Sequence, residues 1–532
     1  MKLKTIIPLI SLVVAASDMA TAQFDSLSYS VNGKAFLYSN NASYLNRLNI
    51  NTISAAIISV SLADNGFRNY YNADKSIDAG AMVESFYRFN DKVSAYGRIS
   101  YNNFYGKQMA GSAFIEPDFA PFDIVEQADT NLGVKNLETY KILGGVGAQI
   151  SGGLSVGAKV DYTAANYAKR KDLRHKNSLM DLKLTAGLSY DFGILTVGAD
   201  YLYRRRNEGL KFSTYGTADR TYNSIISYGA FWGLREEFGA EGFTDKSREM
   251  PLFDQFNGAD IQLLVKITDN LHIFNNFTYQ SRDGRYGRKG QYTIEYEQHE
   301  GDMSGVDGTV FYTTQRFTHC INYSLSTTSL DAYKNVYTLE NLDGGLTNYI
   351  YHDRLKMSQK QSKKLNVGYN GLFFSNLKDA RQVWDFGVDA TFSRRTLMGV
   401  RYPYWRRQDL KIKQLAISLG EKNILPDAKE LSVKISTFFQ KGSGHPYIEN
   451  YYVKPDLSQQ PPSESQVFLY QEYEFLCKPH FAMSLNVKLA KKMFSDKVKS
   501  FLSADYTFTK AKNTVYLDGF ANEVVINFWV EF

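Results

Sequence analysis

The sequence lacks the long apolar runs, cysteine pairs and histidine clusters that mark several common protein classes. After the first residues, no stretch reaches the ~20 consecutive apolar residues of a transmembrane helix, and the mean hydropathy is −0.34. Two cysteines, Cys320 and Cys477, give no disulfide framework and no CxxC metal motif, although one bridge could form in an oxidising compartment. A net charge of +6 is modest for 532 residues and indicates no nucleic-acid partner. No pattern indicates a cofactor.

The N-terminus has the pattern of a secretory signal peptide. Lysines at positions 2 and 4 precede an apolar run from Ile6 to Ala16, and Ala20-Thr21-Ala22 forms an A-x-A cleavage pattern. The next residue is Gln23 and not a cysteine, which argues against a lipid-anchored lipoprotein. We therefore predict a signal peptide over residues 1–22.

Aromatic residues and glycine are abundant, with 38 Tyr, 35 Phe and 39 Gly against 11 Pro. A two-residue period of apolar residues is clearest between residues 139 and 206, as in LSVGAKVDYTA at 154–164. Such alternation gives a strand one apolar and one polar face. Residues 182–203 repeat the pattern on both sides of Asp191-Phe192-Gly193 and predict a hairpin. Strands of this kind are typical of an outer-membrane β-barrel, in which lipid-facing and lumen-facing residues alternate.

The connections between the predicted strands alternate in length along the chain. Short connections are predicted at 91–92, 151–153, 191–193, 269–270, 375–382, 421–429 and 491–499. The alternation holds when 466–490 is one strand and 283–363 is one elaborate loop. It indicates an all-β fold, a transmembrane up-and-down antiparallel β-barrel of about 14 strands, with short periplasmic turns and long extracellular loops.

The strand number depends on two segments. If 54–62 and 82–90 pair as a first hairpin, the barrel has about 16 strands, and a strand hidden near 310–326 would add a further pair. The barrel domain is predicted over 54–532 and follows an N-terminal segment, 23–53. Because that segment is too short for a plug domain and the chain too short for ~22 strands, the sequence argues against a TonB-dependent transporter.

Basic residues cluster at the predicted outer ends of strands. They could form an electropositive entrance that concentrates anionic solutes. Alternatively, they contact phosphates of the outer leaflet, which we favour because all clusters lie at one rim. Neighbouring aromatic residues could stack on sugar rings, but an interfacial aromatic belt is the favoured interpretation. A loop predicted over 242–260 carries enough apolar residues to fold onto the barrel mouth or a partner. The candidate binding residues are Arg204, Arg206, Arg395, Arg401, Tyr404 and Trp405.

Two weaker patterns involve histidine. Glu295, Glu297 and His299 recur at alternate positions and could bind a divalent cation, although a solvated strand explains them as well and is favoured. His352 beside Asp353 is the best seed for a hydrolase at the rim. However, neighbours on an extended chain point to opposite sides, so we predict that the protein is not an enzyme.

The terminal stretch EVVINFWVEF also alternates. One set of alternate residues, Val524, Ile526, Phe528 and Val530, is predicted to face lipid. The aromatic end is predicted to lie at the periplasmic interface. It resembles the C-terminal signal by which the barrel assembly machinery recognises its clients. The candidate residues for this signal are Phe528, Val530 and Phe532.

Several features together support a family resemblance. They are the signal peptide ending in TAQ, the Tyr-rich hairpins, the segment GAFWGLREEFGAEGFTDKSREMPLFDQFNGADIQ and the terminal VVINFWVEF. The chain resembles Bacteroidetes outer-membrane β-barrel proteins and is similar to a family of about this length with unknown function. The resemblance spans essentially the whole mature chain and implies its fold and its location in the cell outer membrane. It provides no catalytic or ligand residue.

The function predicted from these observations is passage or capture of a solute, alone or beside a neighbouring uptake protein. A surface adhesion protein that uses the barrel as an anchor is the alternative, and a rim hydrolase is a more distant third. The expected partners are outer-membrane lipid, lipopolysaccharide and the barrel assembly machinery.

Overall fold

The computed structural model describes residues 39–48, 52–126, 132–213, 222–238, 250–290, 293–342, 346–375, 382–425, 429–456, 458, 466–492 and 498–532. The predicted signal peptide lies outside the described residues. No helix among the described residues is both long and apolar enough to cross a membrane.

Extended chain dominates the described residues, because alternating and aromatic-rich sequences favour strands. The strands, in chain order, are β1 (Ile53–Asn65), β2 (Lys75–Arg88), β3 (Val93–Met109), β4 (Gly111–Ser112), β5 (Asp123–Glu126), β6 (Gly133–Gln149), β7 (Leu154–Lys169), β8 (Arg174–Asp191), β9 (Leu195–Ser213), β10 (Tyr222–Ser227), β11 (Gly233–Phe238), β12 (Met250–Thr268), β13 (Leu271–Gly287), β14 (Glu295–Thr313), β15 (Phe317–Leu342), β16 (Leu346–Phe374), β17 (Gln382–Arg401), β18 (Tyr404–Leu425), β19 (Lys429–Ser443), β20 (Ile448–Tyr451), β21 (His480–Lys492), β22 (Lys499–Ala511) and β23 (Phe520–Glu531). A 3₁₀-helix covers Ala42–Arg47 and one α-helix, α1, covers Gln466–Cys477.

Eighteen of these strands form a closed antiparallel barrel. Each pairs with its neighbours along the chain, and β1 closes the barrel by pairing with β23 from Ala55 opposite Glu531 to Asn65 opposite Ala521. Closure satisfies the backbone hydrogen bonds at both edges of the sheet, as a lipid environment requires. The four short strands β4, β5, β10 and β11 form a separate sheet, and β20 extends β18 beyond the barrel.

The predicted alternation of short and long connections is confirmed only in part, because two connections predicted to be long, between β7 and β8 and between β17 and β18, contain only residues 170–173 and 402–403. All the predicted short connections lie at the end of the barrel that holds Phe532, here named the turn end. The opposite end, the loop end, carries the inserts between β3 and β6, β9 and β12, and β19 and β21.

The predicted strand number was wrong. β1 and β2 do pair, which fulfils the condition for 16 strands. The further pair comes from 283–363, which is not one loop: it contains β14 and β15, joined by a turn at 314–316. β14 reads EYEQHEGDMSGVDGTVFYT, and its many polar and glycine residues hide the two-residue period. The segment 466–490 is not one strand either, because α1 precedes β21.

The outer face of the barrel is apolar. Exposed aliphatic residues on alternate positions of the strands include Ile58, Ile99, Val146, Leu188, Ile261, Leu325, Leu419, Ile435, Leu485 and Ile526. Exposed aromatic residues near the turn end include Tyr87, Phe89, Tyr190, Phe192, Tyr312, Phe317 and Phe532. An apolar band bordered by an aromatic girdle is the arrangement that a barrel presents to a bilayer.

Candidate functional site

The loop end of the barrel is filled by the protein's own chain. Residues 110–126, here named the plug loop, carry β4 and β5, and β5 pairs with β10 of the next insert. Phe114 and Phe122 of the plug loop are buried in an apolar cluster with Leu252 and Tyr286 of the barrel wall. The insert of α1 adds Phe468 and Leu469 in a second cluster. Apolar side chains of three inserts therefore pack inside the mouth.

Polar groups from several wall strands also hold the plug loop. The Phe119 carbonyl accepts a hydrogen bond from Arg282 of β13 at 2.9 Å, and the Ala120 carbonyl accepts one from Lys360 of β16 at 2.6 Å. The amide of Ile115 donates to Glu208 of β9 at 2.9 Å. The plug loop begins after β3 and ends before β6, and β16 stands nine strands from β3 in the 18-strand barrel, so the loop crosses the mouth.

A buried charge cluster fixes the end of the plug loop. The carboxylate of Glu126 lies 3.1 Å from the Lys135 ammonium and also contacts that of Lys169. All three side chains are fully buried. The carboxylate offsets part of the ammonium charge, and the Lys135 ammonium also donates hydrogen bonds to the carbonyls of Ala110 and Ser112, so the buried lysines depend on these partners.

Asp123 is another buried carboxyl of the plug loop. It accepts hydrogen bonds from the Tyr70 hydroxyl at 2.8 Å and from the Ser112 hydroxyl at 2.5 Å. Burial raises the pKa of Asp123, against the effect of these two bonds. Because the pKa of Asp123 is higher in the folded chain than in the unfolded chain, its contribution to stability is fully present at pH values below the unfolded pKa. That contribution is lost as the pH rises through the folded pKa.

Two of the predicted binding arginines contact the ring of Phe119 in the plug loop. The guanidinium of Arg206 lies 4.9 Å, and that of Arg204 5.1 Å, from the ring centre of Phe119, with Arg282 at 4.1 Å. Arg204 pairs with Asp181 at 2.5 Å, while Arg206 pairs with Glu208 at 3.0 Å. The wall carboxylates therefore balance both arginines, and the plug aromatic ring covers them. The sequence did not reveal Phe119 or Arg282.

The other predicted binding residues are spread over the loop end. Arg395 forms ion pairs with Glu472 of α1 at 2.8 Å and with Asp118 of the plug loop at 3.5 Å. Tyr404 faces inward, with its ring 6.4 Å from that of Trp232. Trp405 lies on the opposite face of β18, and Arg401 is exposed at the end of β17. The structure thus brings Arg204, Arg206 and Arg395 to the plug and leaves Arg401 and Trp405 apart from it.

The acidic pattern on β14 joins an ionic network. His299 lies between Glu297, at 3.1 Å, and Asp254, at 2.7 Å, and Asp254 also pairs with Arg282 at 2.6 Å. Glu295 points elsewhere, with its carboxylate 3.8 Å from the Lys289 ammonium. In the described part of the chain, no group of His, Cys, Asp and Glu is arranged to hold a metal ion.

A second segment occupies the barrel closer to the turn end. Residues 39–48, here named the inner segment, lie against the inner faces of β3 and β6 to β8. Ser43 donates to Ser189 at 2.9 Å, Asn46 donates to Ser155 at 3.1 Å, and Arg47 pairs with Asp191 at 2.8 Å.

The wall accommodates the inner segment through a row of glycines. Gly147, Gly157 and Gly187 stand directly opposite one another on β6, β7 and β8. A Cβ atom on Gly157 would lie 2.3 Å from backbone atoms of Ala42 and Ser43, and one on Gly147 would lie 2.4 Å from the Ala42 carbonyl oxygen. Sequence reasoning missed this site. The signal was three glycines, one on each of three neighbouring strands, and their alignment becomes visible only once the strand register is known.

The fold and its two occupied ends can be compared with known proteins. A family model for a family of unknown function, DUF6850, matches residues 42–528. The chain belongs to this family. The expectation of a family without an assigned function is thereby confirmed. Comparison with curated proteins gave no match.

Solved structures with a similar fold are outer-membrane receptors and transporters. The ferric-catecholate import receptor Fiu of E. coli K12 has a TM-score of 0.39 at 7% identity, over 91% of this chain and 81% of its own. The outer-membrane transporter YddB of Escherichia coli has a TM-score of 0.39 at 7% identity, over 91% of this chain and 81% of its own. The ferric citrate transporter FecA has a TM-score of 0.40 at 9% identity, over 91% of this chain and 79% of its own. At TM-scores below 0.5, this likeness carries no inference about the function of the DUF6850 chain.

The loop predicted over 242–260 in the DUF6850 chain overlaps a wall strand. Of the loop predicted over 242–260, residues 242–249 lie outside the described residues, and 250–260 are part of β12, so that part was wrong. Met250 and Phe256 face inward towards the plug, whereas Phe253 faces outward between Arg205 and Arg285. The apolar residues that suggested a loop are explained by contacts on both faces of a wall strand.

The histidine proposed for a rim hydrolase has a different partner. His352 Nε2 lies 2.8 Å from the Thr338 hydroxyl, and Asp353 accepts a hydrogen bond from the backbone amide of Arg354 at 2.7 Å. The structure therefore does not bring His352 and Asp353 together as a catalytic pair.

The C-terminal strand has the predicted faces. Phe528 and Phe532 are exposed on the outside, Val530 is half-buried, and Trp529 is buried inside, stacked 4.6 Å from Phe501. The backbone of Phe532 pairs with Ser54 at 2.9 and 3.0 Å. Recognition of this strand by the assembly machinery stays a prediction.

Proposed function

We propose that this protein is a gated barrel of the cell outer membrane that passes or captures a solute. A lipid-compatible outer face, a polar inner wall and closed sheet edges support the location. Following the sequence resemblance, we further propose a Bacteroidetes outer membrane as its setting. The expected partners are lipopolysaccharide, the assembly machinery and a neighbouring uptake protein.

The observation that carries the proposal is the way the plug loop closes the mouth. Its contacts include carbonyls that accept from wall side chains, partly exposed ion pairs of Glu116 and Asp118, and one aromatic ring among three arginines. Partly exposed ion pairs contribute only about 0–1 kcal/mol each, so some of this attachment can be broken at small cost. A plug held in this way can move aside, which a barrel that served only as an anchor does not require.

Single-channel recording in a planar bilayer tests the proposal. We expect little or no current through the native protein and steady current through a variant in which a Gly-Ser linker replaces residues 110–126. Absence of current through the linker variant, once its correct folding is verified, would contradict passage through the barrel.

A surface-interaction role is the second candidate, and one feature favours it. The β15–β16 hairpin continues beyond the last residue pairs with β14 and β17, at Lys334 and Ser358. Leu339 and Leu355 are exposed on this projection. Replacing 335–357 by a tight turn would abolish attachment to cells or surfaces if adhesion is the function, and would leave the current of the linker variant unchanged.

A further inference from the structure

A dense group of cations lies on the outer face of four neighbouring strands. Lys363 of β16, Arg394 of β17, Lys411 and Lys413 of β18, and Lys441 of β19 are all exposed. This group is here named the basic patch. Each residue occupies an outward position of its strand, so the patch is separate from the arginines that hold the plug loop.

The strand register places these like charges directly opposite one another. Lys363 stands opposite Arg394, which stands opposite Lys411, and Lys413 stands opposite Lys441. Cβ atoms of directly opposed residues are ~5 Å apart, and like charges at that distance destabilise a sheet. The arrangement is therefore unfavourable by itself and calls for a negatively charged ligand.

The protein supplies little of that negative charge. Asp409 pairs with Arg394 at 2.6 Å and with Arg407 at 3.4 Å. Among the residues that the structure describes, no carboxylate lies within ion-pair distance of Lys363, Lys413 or Lys441. Five cations of the patch thus face one shared carboxylate.

The height of the patch on the barrel points to the ligand. Its residues lie about a dozen positions from the turn-end terminus of their strands, which is roughly 30 Å at ~3.3 Å per residue and a tilt of ~40°. The hydrocarbon core of a bilayer is ~30 Å thick. The patch is therefore level with the headgroups of the outer leaflet.

Apolar residues continue directly below the patch. Leu365, Phe392, Leu415 and Phe439 are each 40–48% exposed and lie towards the turn end of the cations. A ligand that matches both features needs an anionic head and apolar chains. Phosphate suits the head, because arginine and lysine bind it through charge-assisted hydrogen bonds.

We infer that the basic patch is a binding site for the phosphorylated headgroup of an outer-leaflet lipid, whose acyl chains lie on the apolar residues below. This site rests on the proposed outer-membrane location and is independent of solute passage. The strand register divides the cations into two rows, one of Lys363, Arg394 and Lys411 and one of Lys413 and Lys441. A lipid with two phosphates therefore matches the patch best.

The test compares two variants of equal charge. The patch variant is Lys363→Gln/Lys413→Gln/Lys441→Gln, and the control is Lys92→Gln/Lys454→Gln/Lys512→Gln, three exposed lysines elsewhere on the surface. The unfolding temperature of the full chain in neutral detergent is measured alone and with one of four probes. The probes are diphosphorylated lipid A, the same lipid without phosphates, phosphatidylcholine and inorganic phosphate.

We expect diphosphorylated lipid A to raise the unfolding temperature of the native and control proteins, and the patch variant to lose most of that rise. Without lipid at low salt, the patch variant should be at least as stable as the native protein, because its like-charge repulsion is removed. An equal rise in the patch variant, or an equal rise with the phosphate-free lipid, would overturn the site. A full rise with inorganic phosphate alone would show a simple anion site and would overturn the lipid assignment.

If the triple patch variant does not fold, Lys413→Gln alone is compared with Lys92→Gln by the amount of phospholipid or lipid A that co-purifies from membranes. A loss confined to Lys413→Gln is expected, and equal amounts would contradict the site. Neither readout depends on conductance, so failure of the passage proposal leaves this test unaffected.

Discussion

Individual buried charges decide how firmly the mouth is closed. Glu126 forms ion pairs with two fully buried lysines, whereas Glu116, on the same loop, is 54% exposed and lies 3.5 Å from Arg206. The same residue type therefore has two different energetic roles. Basic residues such as Arg204 and Arg206 could be noticed in the sequence, but the Phe119 ring that covers them lies in a distant segment, so this contact could not be predicted.

Glu126→Gln should loosen the plug loop strongly. Removing one partner of a buried ion pair costs about 3–5 kcal/mol, because the remaining charge is left uncompensated. Hydrogen exchange of the amides in residues 110–126 should accelerate while that of the barrel strands stays slow. Glu116→Gln is the matched control and should cost about 0–1 kcal/mol. Equal exchange in the two variants would show that Glu126 does not hold the loop.

At the scale of the element, most wall strands could be predicted because their outer face is apolar and their inner face polar. β14 and β15 were missed because polar residues and glycine occupy both faces of β14. The sequence of α1, QVFLYQEYEFLC, predicts a strand because it is short and mixes the two-residue period of a strand with the 3.6-residue period of a helix. Its helical form depends on packing of Phe468 and Leu469 against the plug, which no local pattern contains.

Gly157→Val should displace the inner segment without harming the barrel. Valine favours strands, but its Cβ would occupy the space of the Ala42 and Ser43 backbone. The readout is a disulfide between Ser43→Cys and Ser189→Cys, whose hydroxyl oxygens are 2.9 Å apart. The bond should form on oxidation in the native background and fail to form with Gly157→Val.

Gly144→Val serves as the control for this experiment. It lies on the outer face of β6, where a Cβ would be 3.7 Å from Val160, an ordinary contact. The disulfide should form as in the native background. Its efficient formation with Gly157→Val would mean that the glycine row does not seat the inner segment.

Deletion of Phe532 should impair assembly into the outer membrane. The deletion removes an exposed aromatic residue and the two backbone hydrogen bonds that join β23 to Ser54 at the closing seam. We expect the chain to be secreted into the periplasm but to fail to form the heat-modifiable barrel seen on gels. Phe532→Tyr, which keeps the ring and the backbone bonds, should assemble normally. Normal assembly of the deletion would contradict the signal.

At the scale of the whole molecule, the plug loop and the inner segment both pack inside the barrel. The fold class and the orientation of turns and loops could be predicted because they depend on alternation and on connection length. The packing of the plug loop and the inner segment inside the barrel could not be predicted, since it results from contacts between segments far apart in sequence. Examples are the contacts of Phe119 with Arg282 and of Ser43 with Ser189.

The central claim is that the barrel is a solute path that the plug loop closes. Its most direct test uses a variant altered only on that loop, Glu116→Gln/Asp118→Asn/Phe119→Ala, which removes two ion pairs and the ring that contacts three arginines. Each cation–π contact is worth about 0.5–2 kcal/mol, so the closed state should weaken while the wall is unchanged. The charge control is Glu340→Gln/Asp353→Asn on the projecting hairpin.

The measurement is the swelling rate of proteoliposomes in isosmotic solutions of small sugars and amino acids. We expect faster swelling with the loop variant than with the native protein, and no change with the control. Equal swelling of all three, with folded barrels in each preparation, would contradict it.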